Sequence, residues 1–493
     1  MIQSILSKIK EKLAENSFFG NMLALMSASM VSHAVSAAAS VVTAKLYTPA
    51  EVGIFSTYLS ILSVLSVTAC LQYPQALILP DSDRDARRLL WLCAGICLCV
   101  SGLYALVFLP FHGPISARMN APELGPWLRF MPLSVLLAGA LSILQYWNSR
   151  RKTLRNVALS NTVQTASASG AQILLGLEPV HLFGGMILGS LTGRLVSALL
   201  LLRSTLRQEA EPLRSGVTWR GVREMAVRYR EFIAAVPGGV CDQLSAALPS
   251  LGLTYFFGST EVGYYGLSYR LLALPLSLVS GSIGQAFLPE ARAAHSAGVL
   301  KPLCLRVTNL LLRIGCTPFL LLSLVAPALV SFVFGAKWYP AGEYIKWLSI
   351  WLLLILVYSP LSLVFYVLEQ PRKYAFLNII SLAVRAAALL AGGLAGDPAL
   401  AVALYGVSAA LVSLFNCAYV LRLVQASLRE ILDCVVRQLL HALLYAIPTL
   451  VSLALSGQNM LSASVAILSG CVFLLLETKP IVRSLQAIGK GEV

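Results

Sequence analysis

The strongest constraint on this chain is a run of about twenty apolar residues that recurs from one end to the other. Each such run can cross a hydrocarbon core of roughly 30 Å. In lipid the backbone N–H and C=O groups find no water, so these runs must be helices that satisfy their own hydrogen bonds. Fourteen are read, at approximately 21–44, 53–78, 89–110, 127–147, 157–177, 182–202, 232–256, 262–287, 303–334, 345–367, 375–395, 399–421, 437–456 and 460–477. The expected fold is an all-α polytopic membrane protein. Composition agrees: 57% of residues are hydrophobic and 12% charged, where a soluble domain carries about twice that charge.

The net charge of +15 does not indicate a nucleic-acid partner, because its distribution follows the membrane. With fourteen spans and a cytosolic N-terminus, the cytosolic segments hold 28 of the 37 Lys and Arg residues. The external loops hold 5, namely Lys45, Arg118, Arg129, Lys337 and Lys346. That asymmetry is the positive-inside rule, and it predicts both termini in the cytosol. Residues 1–20 read as an amphipathic surface helix, with Ile2, Ile5, Leu6, Ile9 and Leu13 on one face. The segment 203–231 carries seven arginines and reads as a cytosolic linker between halves. Residues 478–493 read as a cytosolic tail. Most of the ten cysteines fall inside spans, where they act as small apolar residues. No Cys/His cluster has ligand spacing, so no metal, disulfide or cofactor is expected.

The chain also repeats itself. Glu51-Val52-Gly53-Ile54-Phe55 is matched 210 residues later by Glu261-Val262-Gly263-Tyr264-Tyr265. Gln75-Ala76-Leu77-Ile78-Leu79-Pro80 is matched by Gln285-Ala286-Phe287-Leu288-Pro289. A shift of six spans keeps the orientation, which predicts two parallel pseudo-symmetric six-helix bundles, over 21–202 and 232–421, with a cavity between them. The runs within 437–477 are two additional helices. Thr48-Pro49-Ala50-Glu51 has the pattern of a capping box. In the second copy Gly258 stands at the cap and Glu261 three residues on, so both glutamates read as helix-start residues.

Tyr47 through Phe55, and Leu77-Ile78-Leu79-Pro80-Asp81 with its charged loop, resemble segments of bacterial oligosaccharide flippases. So does the stretch from Tyr229-Arg230-Glu231-Phe232 through Phe257-Gly258, Tyr269-Arg270 and Leu274-Pro275. The resemblance is to the polysaccharide-synthesis branch of the multidrug/oligosaccharidyl-lipid/polysaccharide exporter superfamily. It covers most of residues 1–300 and implies a transporter of undecaprenyl-diphosphate-linked oligosaccharide in the bacterial cytoplasmic membrane. Expected partners are that lipid-linked sugar, membrane lipid and a polysaccharide polymerase complex.

Five ionisable residues lie well inside spans: Arg194, Asp242, Arg270, Arg313 and Arg385. Each falls roughly 12–15 Å from a span end, at 1.5 Å per residue. Each insertion costs about 2.5–3.5 kcal/mol. Asp242 and Arg270 sit at similar depth on adjacent spans, where one structural role is an ion pair. Asp242 reads as the only acid in the bilayer, and one acid cannot neutralise four arginines. The excess calls for an aqueous cavity or an anionic ligand, and arginine suits phosphate oxygens. Asp242 follows Pro237-Gly238-Gly239, which gives it a second reading, behind the ion pair, as a proton or sodium site. Ser29, Ser32, Ser36, Ser40 and Thr43 share one helical face, as do Ser56, Ser60 and Ser63. Asn161, Thr165 and Ser169 form a weaker line. Such stripes serve either cavity lining or tight helix packing.

These features support a flippase that moves its substrate without chemistry. A multidrug cation exporter would favour an acidic or aromatic cavity. A glycosyltransferase or polymerase would need paired carboxylates outside the bilayer, and the longest external loop, around 111–126, carries only Glu123. A scaffold subunit would leave the intramembrane arginines without purpose.

Overall fold

The computed structural model describes residues 17–178, 180–208 and 217–489, apart from the side chains of 17–31, 274–275, 277–286, 289, 371 and 482–489. The regular structure of these residues is helical throughout. The expected surface helix lies outside them up to residue 16.

Two compact units meet at Val262 and Gly263 in sequence. The first holds α1 (Ser17–Leu46), α2 (Pro49–Thr68), α3 (Asp83–Arg118), α4 (Met131–Arg150), α5 (Leu154–Gly176), α6 (Gly185–Gln208), α7 (Trp219–Arg228) and α8 (Val236–Phe257). Here α5 packs on α1 and α6, α4 on α3 and α6, α7 on α3, and α8 along α2. The second holds most of α9 (Ser259–Ser296), then α10 (Leu300–Phe334), α11 (Tyr339–Leu361), α12 (Pro371–Leu394), α13 (Pro398–Leu423), α14 (Leu428–Ser456) and α15 (Met460–Gly489). Its centre is α10 with α11, α13 beside α11 and α12, and the pair α14–α15 laid on α10. The expected boundary at 203–231 assigned α8 to the second half; by packing, α8 belongs to the first unit. The expected C-terminal tail continues α15 as helix to Gly489.

Local chemistry explains where these helices begin. Thr48 accepts from Glu51 N, the Glu51 carboxylate accepts from Thr48 N, and Pro49 opens the helix, so the capping box is complete. Ser82 caps α3 through Asp85 N. Asp83 in its first turn pairs with Arg150 and Arg151 from the end of α4, at 3.0 and 2.9 Å. A short 3-10 turn, Tyr73–Ile78, joins α2 to α3. Tyr73 donates to the Ala226 carbonyl at 2.9 Å and ties the amphipathic α7 to this turn.

Nine of the described helices are each long and apolar enough to cross a membrane, and a tenth forms if Pro122–Leu128 and Met131–Arg150, bent by 54°, act as one span. The chain is a multi-pass membrane protein. Length and apolarity alone do not reach the expected fourteen. Both α5 and α8 have sufficient length, but their Ser, Thr, Asn, Gln and Gly residues dilute the apolar surface.

Candidate functional site

In the second unit Arg385 of α12 has its guanidinium 5.5 Å from the centroid of Trp351 on α11, in cation–π contact. Tyr405 of α13 stands within hydrogen-bonding reach of it. The Trp351 and Tyr405 rings meet edge to face at 5.4 Å, and Tyr269 lies 6.2 Å from Trp351 and 6.1 Å from Tyr265. Arg385 Nε is buried without a hydrogen-bond partner. Among the described residues Arg385 makes no ion pair. This is a cation held by aromatic faces. Arg270, next to Tyr269, is partly buried in the same unit.

Arg313 is differently placed. Its Nε donates to Glu477 Oε2 of α15 at 2.6 Å. The other oxygen of Glu477 faces His441 Nε2 and the Tyr445 hydroxyl of α14, each at 3.3 Å. Glu477 is only 6% exposed. The reading of Asp242 as the only intramembrane acid is therefore corrected. The leucine-rich run ends at Glu477, which made that residue look like the edge of a span, whereas the helix continues and turns the carboxylate inward. Arg313 also borders an open groove of about 970 Å³ between α10 and α14, with Arg306, Asn309, Asp433, Arg437 and His441. Within it Gln438 donates to Asn309 at 2.8 Å.

In the first unit Arg194 of α6 is partly buried and within electrostatic reach of Tyr58. It makes no ion pair among the described residues. Asp242 is exposed on α8 in this unit. Its expected partner Arg270 belongs to the other unit, so that pairing is not an interaction inside either one. The serine stripe of α1 faces α5: Ser32 donates to Thr162 at 3.2 Å, and Ser40, 2% exposed, bonds the Ala37 carbonyl. Ser36 is partly buried on the same helix, and the Ser29 side chain lies outside the described set. Asn161 is exposed and accepts from Gln145 at 3.0 Å. On α2, Thr57 and Thr254 of α8 share a buried hydroxyl hydrogen bond of 2.7 Å.

Sequence reading missed the aromatic set, Glu477 and a histidine contact. Tyr265 and Tyr269 are four residues apart and so share a helical face, which was a legible signal. Glu51, 5% exposed, faces His181 Nε2 at 3.1 Å, and His181 Nδ1 faces the Gly176 carbonyl at 3.3 Å. The loop that brings His181 there gave no sequence signal.

Helices bundled in two units, with cations among rings and amides inside apolar spans, define a multi-pass helical membrane protein. The fold is that of the multidrug/oligosaccharidyl-lipid/polysaccharide exporters. It is similar to the lipid II flippase MurJ in an inward closed conformation, at 12% identity and TM-score 0.72 over 93% of this chain and 99% of that one. An inward-facing multidrug resistance MATE transporter aligns at 13% identity and TM-score 0.67, covering 80% of this chain and 94% of that one. A transporter of the same superfamily from Pyrococcus furiosus aligns at 13% identity and TM-score 0.55, over 83% and 96%. No curated protein sequence matches. Residues 24–343 match the model of the polysaccharide biosynthesis protein family, and the chain belongs to that family.

Proposed function

We propose that this protein flips an undecaprenyl-diphosphate-linked oligosaccharide across the bacterial cytoplasmic membrane by alternating access, supplying surface polysaccharide such as O-antigen, capsule or exopolysaccharide. The observation that carries the reading is Arg385, held against Trp351 with no carboxylate paired to it among the described residues. A cation so placed in a membrane span calls for an anionic ligand. The lipid diphosphate supplies one, with oxygens that match the guanidinium fork. Family membership and a fold shared with a lipid II flippase support the same cargo class. The reading takes fourteen crossings, both termini in the cytosol, and Arg194 and Arg270 as further contacts to the head group. Asp242 is the ion-coupling residue, and a polysaccharide polymerase complex receives the product.

Purified protein in proteoliposomes should move the lipid-linked oligosaccharide between leaflets with its mass unchanged. Arg270→Gln combined with Arg385→Gln should abolish movement while the protein stays folded. Undiminished flipping by that variant, or a change in substrate mass, rejects the mechanism. A multidrug exporter shares the fold, but organic cations would be repelled by the arginines; efflux of a cationic dye by the same proteoliposomes would favour it.

A further inference from the structure

One cavity of the first unit uses none of the charged residues assigned above. It has a volume of about 330 Å³ and lies among α2, the 3-10 turn, α4 and α8. That size is at the lower end of small-ligand sites, about 300–1,000 Å³. Its polar lining is neutral and includes Ser63, Gln72, Gln75, Ser142, Tyr146 and Gln243. No lysine, arginine, aspartate or glutamate lines it. We propose that this pocket is a subsite for a neutral sugar ring of the lipid-linked substrate.

The chemistry of the lining carries the assignment. Amides, hydroxyls and a phenol each offer donor and acceptor capacity on a short arm, which is what a polyol presents in return. Ser63 spends its proton on the Ser60 carbonyl at 2.8 Å, leaving its lone pairs as acceptors. Gln75 Nε2 donates to Gln72 Oε1 at 2.6 Å, which fixes both side chains and leaves the Gln72 amino group and the Gln75 carbonyl to bind. Leu71 and Gln72 both adopt left-handed backbone, at φ 47° and 64°. Two consecutive non-glycine residues in that region are uncommon, and such strain gathers at ligand sites. An ion would find no counter-charge in this pocket, and an apolar chain would leave its polar groups unsatisfied. A neutral sugar meets both conditions.

The inference rests on the lipid-linked sugar reading, and the test separates the two. Full-length protein in nanodiscs is titrated with undecaprenyl diphosphate bearing the host strain's own repeat unit, and with sugar-free undecaprenyl diphosphate. Wild type should bind the sugar-bearing lipid more tightly. Gln243→Leu, and separately Ser142→Ala with Tyr146→Phe, should weaken that binding about tenfold while leaving the sugar-free lipid unaffected. The milder pair guards against loss of fold, which a melting curve checks. Equal weakening toward both lipids, no weakening, or wild-type indifference to the sugar overturns the subsite and leaves the flippase standing. Binding of neither lipid by wild type overturns the flippase reading and the subsite with it.

Discussion

Glu477 gathers three donors from two other helices, and its loss is the clearest residue-scale test. Glu477→Ala leaves Arg313 without the carboxylate that its Nε donates to. Breaking a buried pair from one side typically costs about 3–5 kcal/mol; the side chain of Arg313 is 29% exposed, which favours the lower end. Adding Arg313→Ala should restore part of the loss, because the stranded charge goes with it. Thermal unfolding in detergent measures both, and an additive double mutant would show the pair to be uncoupled. The Glu51–His181 contact has its own pH signature. Both ring nitrogens face acceptors, so only the imidazolium can donate at each. The pKa of His181 is raised above its ordinary 6.5, chiefly by the Gly176 carbonyl and then by Glu51 against the opposing effect of burial. A raised folded pKa means that the contact contributes fully below the unfolded value and is lost as pH rises through the folded one. The melting-temperature gap between wild type and His181→Ala should therefore shrink as pH rises above the ordinary histidine range. A gap independent of pH would mean a purely steric contact.

At the scale of helices, polar residues decide which faces meet. The hydroxyls of Thr57 and Thr254 join α2 to α8 where both are fully buried. Cysteines at these two positions in a Cys-less background should form an intramolecular crosslink under mild oxidation. If α2 and α8 separate during transport, the crosslink should stop flipping, and reduction should restore it. Crosslinked protein that still flips would place the moving parts elsewhere. In the second unit small residues play the same part. A Cβ at Gly392 would come within 2.3 Å of Ala401 Cα, so α12 and α13 touch through their backbones. Gly392→Val should force them apart and destabilise the fold by about 1–3 kcal/mol, read from a lowered melting temperature. An unchanged melting temperature would mean that the helices have room to move.

For the whole molecule, the positive-inside distribution makes a topology prediction. In a Cys-less background, cysteines at Glu123 and Gln458 should react with an impermeant reagent from outside, and one at Trp219 only after permeabilisation. External labelling at Trp219 would reverse the orientation. The membrane character of the chain, most helix positions, the capping box at Thr48 and the kinship with the polysaccharide biosynthesis protein family were all legible in the sequence, because they depend on apolar run length and on short local motifs. The partners of the intramembrane charges were not. Arg313 meets Glu477 across 164 positions, and His181 meets Glu51 across 130. The aromatic setting of Arg385 and the neutral pocket by Gln72 and Gln243 likewise draw on several helices. Helical periodicity fixes the face on which a side chain lies. The neighbour that covers that face is set by how helices pack, and in a bilayer the packing is chosen by small residues and polar contacts distant in sequence. Tertiary structure therefore decided that Arg313 pairs with a carboxylate and Arg385 with an aromatic ring.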